Sequence, residues 1–220
     1  MLELDHLVVA ARSLDEGVAW CDRVLGVPPG PGGPHPLMGT HNRLLRIASP
    51  TFAKAYLEVI AIDPHASPPQ RVRWFDLDGA AMRASVADEP RLIHWVARTD
   101  DIDRAGAAFR ANGIDTGRVL SASRPTRGGE LRWRITVRDD GRRPLGGVAP
   151  TLIQWEDTHP VDTMAASGIS LEGLDLRTDA PALERALRQA GATQPIGVAQ
   201  GAPALAAHLH TPLGAVTLSS

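Results

Sequence analysis

The chain has 220 residues, a hydrophobic share of 43%, a charged share of 22% and a formal net charge of -2, the profile of a globular protein able to bury a sizeable core. Charges of both signs are scattered, so no basic stripe speaks for nucleic acid and no acidic run for a solvating arm. The single cysteine, Cys21, excludes an intrachain disulfide and fits a reducing compartment; with no secretory signal and no apolar run long enough for a bilayer, a cytoplasmic protein without membrane contact is expected.

The first predicted strand, 2–11, alternates Leu2 and Leu4 with Glu3 and Asp5, then turns fully apolar after His6 at Leu7-Val8-Val9. A helix follows over about 14–25, with Ser13 as N-cap, Glu16 completing a capping box, Leu14, Val18, Cys21 and Leu25 at helical spacing, and Gly26 as its stop. Residues 28–34, Pro-Pro-Gly-Pro-Gly-Gly-Pro, can form neither helix nor central strand and read as a loop. A short strand is expected around 37–39, and fuller ones at 43–47 and 55–62. A helical insertion is expected over about 70–88.

The pattern then returns. A strand at 91–98 carries His94 between Ile93 and Trp95, as His6 sits in the first strand, and runs into a helix at about 101–112 ended by Asn112-Gly113. Strands are expected at 118–120, 131–137 and 150–155. A third copy follows, with Leu174-Asp175-Leu176-Arg177-Thr178-Asp179 echoing Trp95-Val96-Ala97-Arg98-Thr99-Asp100, a helix at about 181–190 closed by Gly191, and strands near 195–200, 203–210 and 214–219. Aligned this way, Gly173 falls where the second unit has His94. The expected fold is α+β, made of tandem βαβββ units: two paired units at about 1–64 and 91–157 forming a domain over 1–160, and a third, degenerate unit over 168–220 that covers a sheet edge.

Histidines at one register of two repeated strands can meet near a pseudo-twofold axis. The closing strands add Glu58, between Leu57 and Val59, and Gln154, between Ile153 and Trp155. His6, Glu58, His94 and Gln154 are therefore the candidate ligands of a divalent metal, with imidazole and carboxylate suiting zinc, iron, nickel or manganese. His35 at the end of the Pro/Gly loop, His41, Asn42, Trp95, Trp155 and Arg124, an anion clamp on an expected loop at 123–129, are candidate substrate contacts, with Trp133 as a further ring that could grip a planar ligand. No phosphate loop or dinucleotide turn is present, so no nucleotide cofactor is expected.

Paired βαβββ units with His on the first strand and Glu on the last resemble the vicinal oxygen chelate superfamily, which includes glyoxalase I, extradiol dioxygenases and small antibiotic-resistance proteins. More narrowly, Gly32-Gly33-Pro34-His35, Gly39-Thr40-His41-Asn42, Tyr56-Leu57-Glu58-Val59-Ile60 ending at Asp63-Pro64, Trp74-Phe75-Asp76-Leu77-Asp78 and the Pro150 to Trp155 strand before His159-Pro160 resemble the bacterial glyoxalase-like domain family. The likeness covers about residues 2–160. It implies metal-assisted lyase, isomerase or dioxygenase chemistry on a small oxygenated molecule, with Glu58 as ligand or base. Gln154 departs from a glyoxalase-type proton shuttle, because an amide accepts no proton at neutral pH. The alternative is a non-catalytic protein that binds or sequesters a small ligand beside a vestigial metal site. Two complete units in one chain allow a monomer or a homodimer.

Overall fold

The computed structural model describes residues 1–126, 129–156 and 158–220. Two positions of the expected 123–129 loop and the final position of the expected second unit lie outside the described residues.

The first unit contains β1 (Leu2–Ala10), α1 (Leu14–Leu25), β2 (Pro34–His35), β3 (Thr40–Arg46) and β4 (Tyr56–Ile62). Ser13 caps α1 by accepting from the Glu16 amide, and Gly26 ends it in a left-handed conformation at φ 75°. The extra strand forms at Pro34–His35 rather than at 37–39, where His35 O accepts the amides of Met38 and Gly39 in a turn. The insertion holds one short helix, α2 (Ala80–Ser85), the residues before it being turns. The second unit contains β5 (Arg91–Thr99), α3 (Ile102–Ala111), β6 (Arg118–Thr126), β7 (Gly129–Val137) and β8 (Thr151–Trp155). Here β6 and β7 pair over their full lengths, so Arg124 belongs to a strand rather than to the expected loop.

Both units share one eight-stranded sheet in the order β2-β3-β4-β1-β5-β8-β7-β6. Its seam is the antiparallel pair β1 and β5, and each of these strands pairs in parallel with its own unit's last strand. Odd-numbered residues Leu7, Val9, Leu57 and Val59 bury against the helices on one face, while Val8, Ile60, Val96 and Ile153 build a second core on the other, beneath the segment carrying Trp74 and Phe75.

The alternation breaks twice at the seam, and both breaks matter. The register shifts between Leu4 and His6, leaving Asp5 as an extra residue, and again between Val8 and Val9, leaving Ile93 extra on β5. Leu4 and Leu7 both join the helix-side core, so the bulge puts Asp5 and His6 on the opposite face together. On β5, Leu92 and Trp95 join the helix-side core and Ile93 the other. Ile93-His94 thus repeats the geometry of Asp5-His6.

The third segment contains β9 (Ser170–Thr178), α4 (Ala182–Gln189), β10 (Ile196–Gln200), β11 (Ala204–Thr211) and β12 (Gly214–Ser219). Its order, β10-β9-β11-β12, puts its first strand inside the sheet. Where β1 and β5 use one edge to pair with each other, β9 has no sister strand and fills both edges with strands of its own. Leu174, Leu176, Leu205 and Leu209 join Leu4 and Trp95 in one core, and β11 and β12 pack on β5. The segment therefore covers a sheet face at the seam, which corrects the expectation of an edge cover.

Candidate functional site

Asp5 anchors the site from the bulge. Fully buried, it receives three hydrogen bonds: from His6 Nδ1 at 2.6 Å, from Trp155 Nε1 at 2.8 Å and from His159 Nε2 at 2.9 Å. Burial alone would raise its carboxyl; the bonds from His159 and His6 outweigh that and hold it well below the usual carboxylate range. Because Asp5 accepts the hydrogen bond from Nδ1–H, His6 presents Nε2 to the cleft, where Glu58 Oε2 lies 3.6 Å away. The His6 ring stacks on Tyr56, with centroids 4.5 Å apart. Burial, then the charges of Asp5 and Glu58, push the Tyr56 hydroxyl well above its ordinary range.

Asn42 ties the rest together. Its Nδ2 donates to Glu58 Oε1 at 2.6 Å and to His35 Nε2 at 3.2 Å, while its Oδ1 accepts from Gly33 N at 2.9 Å and Arg124 Nη1 at 3.0 Å. Every donor and acceptor site of this amide is used. Gly32 exists for the same contact: a Cβ there would fall 2.2 Å from Asn42 Oδ1. His35 donates from Nδ1 to Thr40 Oγ1 at 3.0 Å, and burial lowers its pKa to about 4, so it is neutral at pH 7.

These groups line a nearly filled cleft of about 30 Å³, walled on the second-unit side by Trp133 and Trp155 and roofed by Trp74 and Phe75. That is room for one or two waters. Phe75 and Asp76 are both held at φ 61°, a costly conformation for non-glycine residues, secured by the pairing of Asp76 with Arg143 at 2.6 Å.

Of the expected site residues, His6, Glu58, His35, Asn42, Arg124 and Trp155 converge here. The others do not. His94 is on the same face but turned to Gly147 O, to which its Nδ1 donates at 2.9 Å, and its Nε2 accepts from Thr151 Oγ1 and N at 3.0 and 3.2 Å. Burial lowers its pKa to about 3, in keeping with a neutral ring. Gln154 lies on the helix face, where its Oε1 accepts the amide of Ile102 at the start of α3. Trp95 is in the helix-side core, donating to Val148 O. His41 lies on the far side of β3, 4.0 Å from Asp63.

The register explains the misplaced ligand. Glu58 pairs with Val8, two residues beyond His6, and two residues beyond His94 the partner of Val96 is Thr151. Thr151, not Gln154, is therefore the counterpart of Glu58, just as Ile93 is the counterpart of Asp5. Gln154 is three residues further on, an odd number, and a strand of period two turns it to the opposite face. The second half of the expected metal set holds no carboxylate, and its imidazole has no free lone pair. His6, Glu58, His94 and Gln154 thus do not fit a metal ion, and no group of three or more His, Cys, Asp or Glu among the described residues is arranged to hold one.

Two βαβββ units sharing one sheet, with polar side chains gathered on the face between them, define the vicinal oxygen chelate class of protein. The chain belongs to the glyoxalase-like domain family, whose model matches residues 4–192. Its structure is similar to that of a hypothetical protein from Staphylococcus aureus, with 16% identity and a TM-score of 0.56, covering 100% of this chain and 85% of that one. It is also similar to methylmalonyl-CoA epimerases from Mycobacterium tuberculosis, at 17% identity and TM-score 0.42 over 74% of this chain and 92% of that one, and from Streptomyces coelicolor, at 19% and 0.44 over 72% and 99%. At these identities the likeness is one of fold alone. No curated protein matches the chain. Among the described residues no helix is long and apolar enough to cross a membrane.

Proposed function

We propose that the protein moves a proton on a small oxygenated molecule in the cleft, as a lyase or isomerase, with Glu58 as the base and His6 as its partner. The observation that carries this reading is the buried line Asp5, His6, Glu58, in which a carboxylate fixes the tautomer of an imidazole whose other nitrogen faces a second carboxylate at 3.6 Å. Glu58 takes a proton from the carbon beside a carbonyl and the C–H electron pair becomes the enolate. Return of that same proton at a different atom completes an isomerisation, either directly from Glu58 or after Glu58 passes it across to His6 Nε2, the transient imidazolium being stabilised by Asp5. The tight aromatic walls exclude water from the anion. No step is routed through a metal, because the lone pair that His94 would give is held by Thr151.

The test is solvent deuterium uptake. A panel of small carbonyl compounds in heavy water, followed by proton NMR, should show catalysed exchange beside the carbonyl in at least one member. Exchange should fall at least a hundredfold in Glu58→Gln and clearly in His6→Gln. Binding without exchange in any member would leave a ligand-sequestering protein instead; exchange that survives Glu58→Gln would move the base elsewhere.

A further inference from the structure

Arg124 is only 7% exposed, yet among the described residues it has no carboxylate within ion-pair distance, and its one hydrogen bond goes to the neutral Asn42. A buried guanidinium without a countercharge is costly. It stands in the cleft beside Glu58, the obvious partner, but Asn42 lies between them, accepting from Arg124 and donating to Glu58. Insertion of that amide keeps the acid and the cation from neutralising each other.

A second residue lining the cleft has a donor with no partner among the described residues: Trp74 is 5% exposed and its Nε1 is buried with no acceptor among them. An indole N–H has a single donor to satisfy, and Trp74 lines the roof of the cleft, so a ligand oxygen reaching that nitrogen would satisfy it. Arg124 Nη1 and Glu58 Oε1 lie no more than about 8 Å apart, the two Asn42 contacts plus the width of an amide group. A carboxylate on Arg124 would therefore put the next two carbons of its own chain within reach of Glu58; at about 30 Å³ the cleft holds only one or two waters, so the Trp74 and Phe75 roof must move outward to admit the acid.

We propose that the ligand is a short 2-oxo carboxylate, its carboxylate paired with Arg124, its oxo oxygen accepting from Trp74 Nε1, and its C3 hydrogen facing Glu58. The role of Glu58 rests on the proton-transfer reading above. The Arg124 subsite does not. Arginine suits this task because its planar fork matches a carboxylate and it keeps its charge when buried. Gly33 lets the loop close over it, since a Cβ there would come within 3.1 Å of Nη1.

The test compares 2-oxobutyrate with its methyl ester, which keeps the shape and loses the charge, by quenching of tryptophan fluorescence from Trp74, Trp133 and Trp155. The acid is expected to bind at least tenfold tighter than the ester. Arg124→Gln should abolish that preference and Arg124→Lys should retain part of it. Equal binding of acid and ester, a preference that survives Arg124→Gln, or no saturable binding of either at tens of millimolar overturns the proposal. If Arg124→Gln fails to fold, judged by circular dichroism, the wild-type comparison and Arg124→Lys decide. Glu58→Gln separates the two readings: it should keep the preference for the acid while losing deuterium exchange at C3. Exchange retained in that variant refutes the base and leaves the carboxylate subsite standing.

Discussion

Acidification to pH 4.5 should remove a large part of the stability of this protein, through two histidines that the fold keeps neutral. Burial lowers His35 to about 4 and His94 to about 3, from an ordinary value of 6.5. Both folded values lie below the unfolded one, so between pH 6.5 and about 4 the unfolded chain holds protons that the folded chain does not. Stability therefore rises with pH across that window and is lost as the pH falls. Each histidine contributes about 1.4 kcal/mol per pH unit, so at pH 4.5 the pair costs roughly 5 kcal/mol, against a total of about 5–15 kcal/mol for a typical domain. Carboxylates with lowered values, such as Asp140 at about 2 and Asp5, are lost only at lower pH and leave the window to the histidines. Urea midpoints at half-unit steps from pH 7.5 to pH 4.5 measure the effect. In His94→Gln the slope should fall by about one proton. A flat profile, or a slope unchanged in that variant, would refute the neutral, internally bonded state assigned to His94.

Gly32→Ala should cost about 2 kcal/mol or more in urea unfolding, because its Cβ would sit 2.2 Å from Asn42 Oδ1, whereas Gly33→Ala, which meets a movable Arg124 Nη1 at 3.1 Å, should cost much less. Equal costs would mean that the loop does not close on Asn42 as described. Asp5→Asn sets an amide N–H among three converging donors; a loss of about 3 kcal/mol, with slowed deuterium exchange, is expected, and full activity in this variant would remove Asp5 from the mechanism. Thr151→Val should cost about 1 kcal/mol and Thr151→Ser almost nothing, since only the hydroxyl bond to His94 is at stake. Elemental analysis after expression in zinc-, iron- or manganese-supplemented medium should give well below one metal per chain, with midpoints unmoved by chelator. A stoichiometric metal that disappears in His94→Ala would show that this ring abandons Gly147 and Thr151 for a ligand.

Element order was legible because its signals are local: Ser13 with Glu16, Gly26, Asn112 with Gly113, and alternation along the strands. The repeat and the family strings brought together the first-unit half of the cleft, His6, Glu58, His35 and Asn42, with Trp155, while Arg124 was expected separately, as an anion clamp on a loop that turned out to be a strand. Asp5 was not legible, because simple alternation puts it on the face opposite His6, and only a bulge set by pairing with β5 turns it round. Thr151 was hidden for a related reason. Finding it requires the parallel register between β5 and β8, a long-range fact, and the more eye-catching Gln154 is an odd number of residues away. Trp74 sits in a bend and His159 in extended backbone capping a short 3-10 turn, and neither carries a periodic signal; both matter through what the folded chain brings to them. The third segment misled differently, since its order of elements copies the first two while its strands connect in another way.

The Asn42 bridge also sets a stoichiometry. The carboxylate it holds comes from the first half of the chain and the guanidinium from the far strand of the second, so the two halves are no longer interchangeable. Two copies of the first half would offer Glu58 twice and Arg124 nowhere, and two copies of the second half the reverse. Carrying both on one polypeptide fixes their ratio at synthesis, and a gene split between β4 and β5 would have to restore that ratio by matched expression.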